Sequence, residues 1–121
     1  MRVDIAYGVT NYKLTDSIKV NRAARQAGIA QARVAKKLSR RLPRGVGASV
    51  AGDIEPGWDP RGSGRAISLV RGGAGEGPGY FNFGTAGQCP PFGTACQGNW
   101  TPMDIARGSQ DQRVIPLPQI Y

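Results

Sequence analysis

The sequence holds one cluster of carboxylates, and paired carboxylates are the groups that general acid–base catalysis most often requires. Asp53, Glu55 and Asp59 lie close together along the chain. They stand among prolines and glycines in the stretch 53–60, a composition that is typical of a turn. We interpret them as solvated turn residues, so we do not expect them to form an acid–base pair.

The other residues capable of chemistry give weaker signals. The chain has no histidine, which removes histidine-dependent triads and the commonest metal ligand. Cys89 and Cys96 are too few for a zinc site, and we interpret them as structural, either free or bridged. Such sparse cysteine use favours a reducing compartment. The glycine-rich stretch 71–77 includes Glu76 and lacks the Lys-Ser/Thr of a phosphate loop. We therefore expect no catalytic, cofactor or metal site, and a protein that is not an enzyme.

Charge is the strongest signal in the sequence. Residues 17–52 contain no Asp or Glu, and the segment contributes +9 to the net charge of +8, while the rest of the chain contributes −1. Such a concentration predicts one electropositive element that binds an acidic partner. The basic residues of the segment are Lys19, Arg22, Arg25, Arg33, Lys36, Lys37, Arg40, Arg41 and Arg44.

The basic segment coincides with a predicted amphipathic helix. Residues 15–17 offer N-cap side chains, and Pro43 with Gly45 offers a stop, so we expect one helix over about 17–42. At about 100° per residue, basic and apolar residues separate onto opposite faces. The face that could meet an acidic protein or nucleic acid contains Arg22, Arg25, Arg33, Lys36 and Arg40. The face that could pack between subunits contains Val20, Ala24, Ala27, Val34, Leu38 and Leu42.

The remaining elements are shorter. Alternation predicts a strand over 2–9, and apolar runs predict strands over 46–54, 66–70 and 80–83, with a glycine-rich connection over 71–79. Thr101, Pro102 and Asp104 predict the start of a short helix. Pro116 and Pro118 exclude a central strand, so we predict that the C-terminal residues form an extended arm.

These elements together predict an α+β fold. We expect one long amphipathic helix packed on a small, mostly antiparallel sheet, with Gly/Pro-rich loops. Residues 1–108 would form a single domain and residues 109–121 an extended C-terminal arm. No apolar run approaches the ~20 residues of a membrane span, and the first residues lack the apolar core of a signal peptide. We therefore expect no membrane contact.

Two short motifs bear on function. Leu42-Pro43-Arg44-Gly45 ends the predicted helix, and Tyr80, Phe83, Gly84 and Thr85 close an aromatic strand. This order of elements resembles the small neck and tail-completion proteins of long-tailed bacteriophages. The resemblance implies a non-catalytic virion protein, assembled in the host cytoplasm, that forms a homo-oligomeric ring between the connector and the tail tube.

Two functions stay open on the sequence. The first is this ring-forming structural role at the head–tail junction. The second is a basic protein of a capsid interior or a ribonucleoprotein that binds nucleic acid without sequence specificity. The two overlap, because a ring at that junction surrounds the passing DNA. No cofactor is expected for either.

Overall fold

The structure is a computed structural model that describes residues 3–59, 62–77, 79–84 and 96–117. Strands and helices alternate along these residues. The strands are β1 (Val3–Thr10), β2 (Val46–Asp53), β3 (Tyr80–Asn82) and β4 (Val114–Pro116). The helices are α1 (Leu14–Ser17), α2 (Asn21–Ser39), α3 (Gly64–Glu76) and α4 (Pro102–Ser109). Two 3-10 turns, Pro56–Trp58 and Gln97–Asn99, lie between them.

The four strands form one sheet in the order β1-β2-β3-β4, and every neighbouring pair is parallel. The predicted antiparallel sheet is therefore wrong. A parallel pair needs a crossover connection, which is usually a helix. Each pair here is joined through a helical segment, which provides the crossover that a parallel pair needs.

The main cause of that error is the segment 66–70, which was predicted to be a strand. It lies inside α3, and the stretch predicted to be a glycine-rich connection continues the same helix as far as Glu76. A buried apolar run of this length has no periodicity that separates a strand from a helix. Gly72 and Gly73 are tolerated in α3 because they lie against α2 and Tyr80.

The single long helix predicted over 17–42 is also wrong. The chain is extended at Ile18 (φ −109°, ψ 112°) and at Val20 (φ −132°, ψ 149°), which separates α1 from α2. Both residues are β-branched and tolerate extended backbone well. Ile18 packs against the core, and its carbonyl accepts a hydrogen bond from Arg65. Tertiary contacts thus interrupt the helix that the pattern indicates.

The three longer helices cover one face of the sheet. Right-handed crossovers in a sequentially ordered parallel sheet place every connecting helix on the same side. The core between the layers contains Ala32, Ala35, Ala48, Val50, Leu69, Val70, Ala74, Tyr80 and Val114.

Other predicted elements are confirmed. Strands lie within one or two residues of the predicted segments at β1, β2 and β3. Helix α4 begins with a capping box, in which Asp104 accepts from the Thr101 nitrogen at 2.8 Å and Thr101 Oγ1 accepts from the Asp104 nitrogen at 3.2 Å. Within the segment predicted to be an arm, residues 114–116 instead form β4. This strand includes Pro116 and lies at the sheet edge, where proline is tolerated.

Candidate functional site

The predicted basic face is an exposed flank of α2. Helix α2 buries Ala24, Gly28, Ala32 and Ala35, so its cations project away from the core. The turns after α2 extend the same surface toward β2. We call this surface the basic flank, and all its side chains are exposed: Arg22, Arg25, Arg33, Lys36, Lys37, Arg40, Arg41 and Arg44.

Most of the basic flank has no partner within the described part of the chain. Arg33 Nε lies 3.3 Å from Glu76 Oε2, in an ion pair that is open to solvent. The other cations of the flank make no side-chain hydrogen bond or ion pair with a described residue. Apart from Glu76, acidic residues of the described fold therefore do not neutralise this surface.

The placement of these charges favours α2 only in part, because Lys36 and Lys37 in the last turn complement the helix dipole whereas other placements oppose helix stability. Arg33 and Lys37, and likewise Lys36 and Arg40, are like charges four residues apart, and each such pair costs about 0.2–0.5 kcal/mol. Arg22 stands in the first turn, which contains no acidic residue. The helix dipole disfavours cations at that end. The charges are thus explained better by an external anion than by helix stability.

The dimensions of the flank suit an extended polyanion. Helix α2 has 19 residues, and at 1.5 Å per residue it is about 28 Å long. That is the length of about eight base pairs of duplex DNA. Exposed arginines can form bidentate hydrogen bonds with phosphate. The helix can therefore place several cations along one nucleic-acid backbone.

The predicted subunit-packing face divides into two parts. Ala24 is fully buried in the protein's own core, and Ala27 and Leu42 are half-buried against it. These three side chains serve the fold of one chain. Val20, Val34 and Leu38 remain exposed.

The residues that carry the family resemblance lie mainly in the interior. Tyr80 is fully buried, and Phe83 and Gly84 are half-buried. Gly84 lies against the Ile54 backbone, where a Cβ would clash. Thr85 lies outside the described residues. The described residues of this motif therefore serve to pack β3 and the residues after it within the fold.

The carboxylate cluster is not a solvated turn, so that interpretation is wrong. Asp59 is fully buried and pairs with Arg65 at 3.4 Å. Glu55 is half-buried, and its backbone is bonded twice by the Asn11 side chain, at 2.8 Å each. The turn is a packed structural unit. Its composition resembles that of a surface turn, and no local signal in the sequence distinguishes a packed turn from a solvated one.

Asp53 has the position most relevant to chemistry. It ends β2, and binding sites of parallel sheets lie at the carboxyl ends of the strands. Its Oδ1 is buried and has no hydrogen-bond partner among the described residues. Asp59 is held by Arg65 through its Oδ1, so it is an ion-pair partner and not a free carboxylate beside Asp53.

One cavity of about 190 Å³ lies beside the ends of β3 and β4, between α3 and α4. Its polar side chains, Asn82 and Ser109, are hydrogen-bonded to each other at 3.3 Å. The described lining includes no charged residue, so this cavity is suited to packing more than to catalysis. The main apolar lining residues are Ile54, Ile67, Val70, Trp100, Ile105 and Pro116.

Cys96 is buried and disulfide-bonded, whereas the sparse cysteine use had favoured reduced thiols. Cys89 lies outside the described residues. No cluster of three metal-ligating residues occurs among the described residues. In the same part of the chain, no helix is both long and apolar enough to span a membrane.

Comparisons with known proteins give no significant match. No protein-family model matches the sequence, and neither the curated proteins nor the solved structures give a significant match.

Proposed function

We propose that the protein binds the phosphate backbone of nucleic acid, without sequence specificity, through the basic flank. The observation that carries this proposal is the row of exposed cations along α2 and the turn after it, most of which have no partner among the described residues. Phosphate contacts of this kind release counterions and supply most of the affinity of non-specific binding. The α2 helix, packed on the sheet and on α3, holds the cations in a fixed row.

Nucleic acid suits this surface better than an acidic protein does. Protein interfaces concentrate their binding energy in buried aromatic and large apolar anchors. Between the cations on α2, Ala23, Gln26 and Ala30 are exposed and Ile29 is half-buried, while the larger exposed residues Val34 and Leu38 lie on the adjoining side of the helix. Such a surface has much charge and few anchors. A polyanion with evenly spaced charges requires only the cations.

A structural role in a virion is the second candidate, and one further observation favours it. Val3, Ile5 and Tyr7 of the edge strand β1 are large apolar residues left exposed, which is typical of a component that is completed by assembly. This role follows the resemblance to neck and tail-completion proteins. It remains compatible with DNA contact, since a ring at the head–tail junction surrounds DNA.

The proposed function is tested by fluorescence anisotropy with two labelled duplexes of unrelated sequence. We expect similar affinity for both. The triple variant Arg25→Gln, Lys36→Gln, Arg40→Gln should weaken binding at least tenfold. A control that removes the same charge elsewhere, Arg71→Gln, Arg107→Gln, Arg113→Gln, should change affinity less than threefold. If both variants lost the same affinity, binding would depend on net charge alone, and the basic flank would be rejected as the site.

A further inference from the structure

Strand β1 is exposed to an extent that is unusual for a parallel strand, since parallel sheets are normally covered on both faces. Its register with β2 places Val3, Ile5 and Tyr7 on the same face as Ala48 and Val50. That is the face that the helices cover, yet these three side chains are 37–50% exposed. The helical layer therefore stops before it covers β1.

Helix α2 has an exposed apolar side that adjoins this strand. Its contacts with α3 are made around Arg25 and Gly28, whose backbones approach Gly72 and Leu69. At about 100° per residue, Val34 and Leu38 project from the other side of α2, and both are exposed. Because β1 also lies on the side of β2 away from β3, the strand and this side of α2 both lie on the flank of the fold that faces away from α3 and β3. We call the exposed apolar residues of this flank the apolar patch: Val3, Ile5, Tyr7, Val20, Val34 and Leu38.

The two edges of the sheet differ in how they are protected. Natural edge strands avoid pairing by being short or by carrying proline, lysine or a bulge. β4 is three residues long and ends in Pro116. β1 has eight residues without proline or lysine, and among the described residues it pairs with β2 alone. Of the two edges in the described sheet, β1 therefore offers the longer one, with Asp4 as its single charged residue.

We propose that a second copy of this chain covers the apolar patch, with the two β1 strands pairing antiparallel about a twofold axis. An axis near Ile5 places Val3 opposite Tyr7 of the partner subunit. The pairing joins the two sheets into one of eight strands and brings the exposed sides of the two α2 helices together above the junction. The twofold axis thus pairs the backbone groups at the free edge of β1 and covers the exposed apolar residues of β1 and α2.

The extent and the charge of the surface support a second copy as the partner. β1 is about 26 Å long at about 3.3 Å per residue, and a sheet with one helix layer is roughly 20 Å thick. This cross-section corresponds to roughly 1,000 Å² of total buried surface, the lower bound for a specific interface. The charged residue of β1 is Asp4, and an axis near Ile5 places it opposite Ala6 of the partner subunit, so the paired strands bring no like charges directly together. A twofold interface requires such self-complementarity.

The arrangement also has a consequence for the basic flank. A twofold axis perpendicular to the sheet keeps the helices of both copies on one side. The two basic flanks then face the same direction and form one wider cationic surface. The dimer does not depend on nucleic acid, so it can be tested with the protein alone.

Analytical ultracentrifugation of the full chain, without nucleic acid, tests the proposal. We expect a dimer for the wild type. Ile5→Lys should raise the dimer dissociation constant at least 30-fold, because a lysine on the edge blocks strand pairing. Ile115→Lys is the matched control, since Ile115 on β4 is 45% exposed and Ile5 is 46% exposed. The control should remain dimeric.

A second variant covers the case in which Ile5→Lys does not fold. Val34→Glu with Leu38→Glu changes only the exposed side of α2 and should also give monomers. Cross-linking then tests the register, because Ile5→Cys should form an intermolecular disulfide and Ile115→Cys should not. A monomeric wild type at about 100 µM, far above the Kd of specific complexes, would overturn the proposal. So would a dimer that persists in both patch variants.

Discussion

The backbones of Gly28 in α2 and Leu69 in α3 are in direct contact. A Cβ at position 28 would overlap the Leu69 carbonyl oxygen and lie 2.8 Å from the Gly73 nitrogen. The α2–α3 pair is therefore held at a separation that only glycine permits at this crossing.

The first prediction concerns this contact. Gly28→Ala should destabilise the fold by about 2 kcal/mol or more, because overpacking outweighs the ~1 kcal/mol that alanine gains in a helix interior. Gly75→Ala in α3 is the control, since a Cβ there comes only within 4.0 Å of the exposed Arg113 side chain. That variant should be neutral or slightly stabilising. Thermal unfolding of both measures the difference, and equal midpoints would contradict the close contact.

A second prediction concerns Asn11, which is fully buried at the end of β1. Its Nδ2 donates to the Glu55 carbonyl and its Oδ1 accepts from the Glu55 nitrogen, both at 2.8 Å. Asn11→Ala leaves two backbone groups unpaired and should cost about 2–4 kcal/mol in the free energy of unfolding. The exposed control Gln26→Ala should cost less than about 0.5 kcal/mol. Urea denaturation compares them, and a small loss for Asn11→Ala would reject this bridge as a stabilising contact.

The third prediction concerns pH. Burial tends to raise the pKa of the Asp104 carboxyl, but hydrogen bonds from Thr101 and Ser63 and the charge of Arg107 outweigh it and lower the pKa below the ordinary value of 3.8. A depressed folded-state pKa means that the stabilisation is present above pH 3.8 and is lost as pH falls through the folded-state value. Asp104→Asn should lower the unfolding midpoint at neutral pH and flatten its decline on acidification. A decline as steep as that of the wild type would contradict this role.

Tyr80 gives the fourth prediction. Its hydroxyl is buried and has no hydrogen-bond partner among the described residues, and burial raises the pKa of the phenol above its ordinary value of 10.0. Tyr80→Phe should therefore increase stability by about 1 kcal/mol, since it removes an unpaired polar atom. With a raised folded-state pKa, the wild type should lose stability as pH rises above 10, and the variant should lose less. Tyr12→Phe, at an exposed ring, is the control for the loss of a phenol. A destabilised Tyr80→Phe variant would indicate that the hydroxyl has a partner.

Much of the fold could be predicted from local patterns. The alternation at β1 and the capping box of α4 each depend on residues only a few positions apart, so sequence spacing identifies both elements. The segment 66–70 depends on its neighbours instead. It is helical because α3 packs on α2 through Gly28 and Gly72, a contact between residues far apart in sequence. The direction of the sheet strands follows from that one element.

The candidate site shows the same division. The residues that helical periodicity assigned to one face are all exposed in the structure, and their role as a binding face stays a prediction: Arg22, Arg25, Arg33, Lys36 and Arg40. Periodicity could not show which apolar residues of α2 are used within the chain, because Ala24 and Val34 both fall on the apolar side of the helix. Only the position of β1 and α3 beside α2 separates the buried residue from the exposed one.

The basic flank as a nucleic-acid site is tested most directly by the salt dependence of binding. Affinity for a duplex, measured from about 50 to 200 mM NaCl, should fall with a slope of about −0.9 per phosphate contact. About five contacts along α2 give a slope near −4.5 on logarithmic axes. The variant Arg25→Gln, Lys36→Gln, Arg40→Gln should reduce the magnitude of the slope by about 2.7, one unit of 0.9 for each lost contact. A slope near zero for the wild type, or one that the three substitutions leave unchanged, would contradict the account.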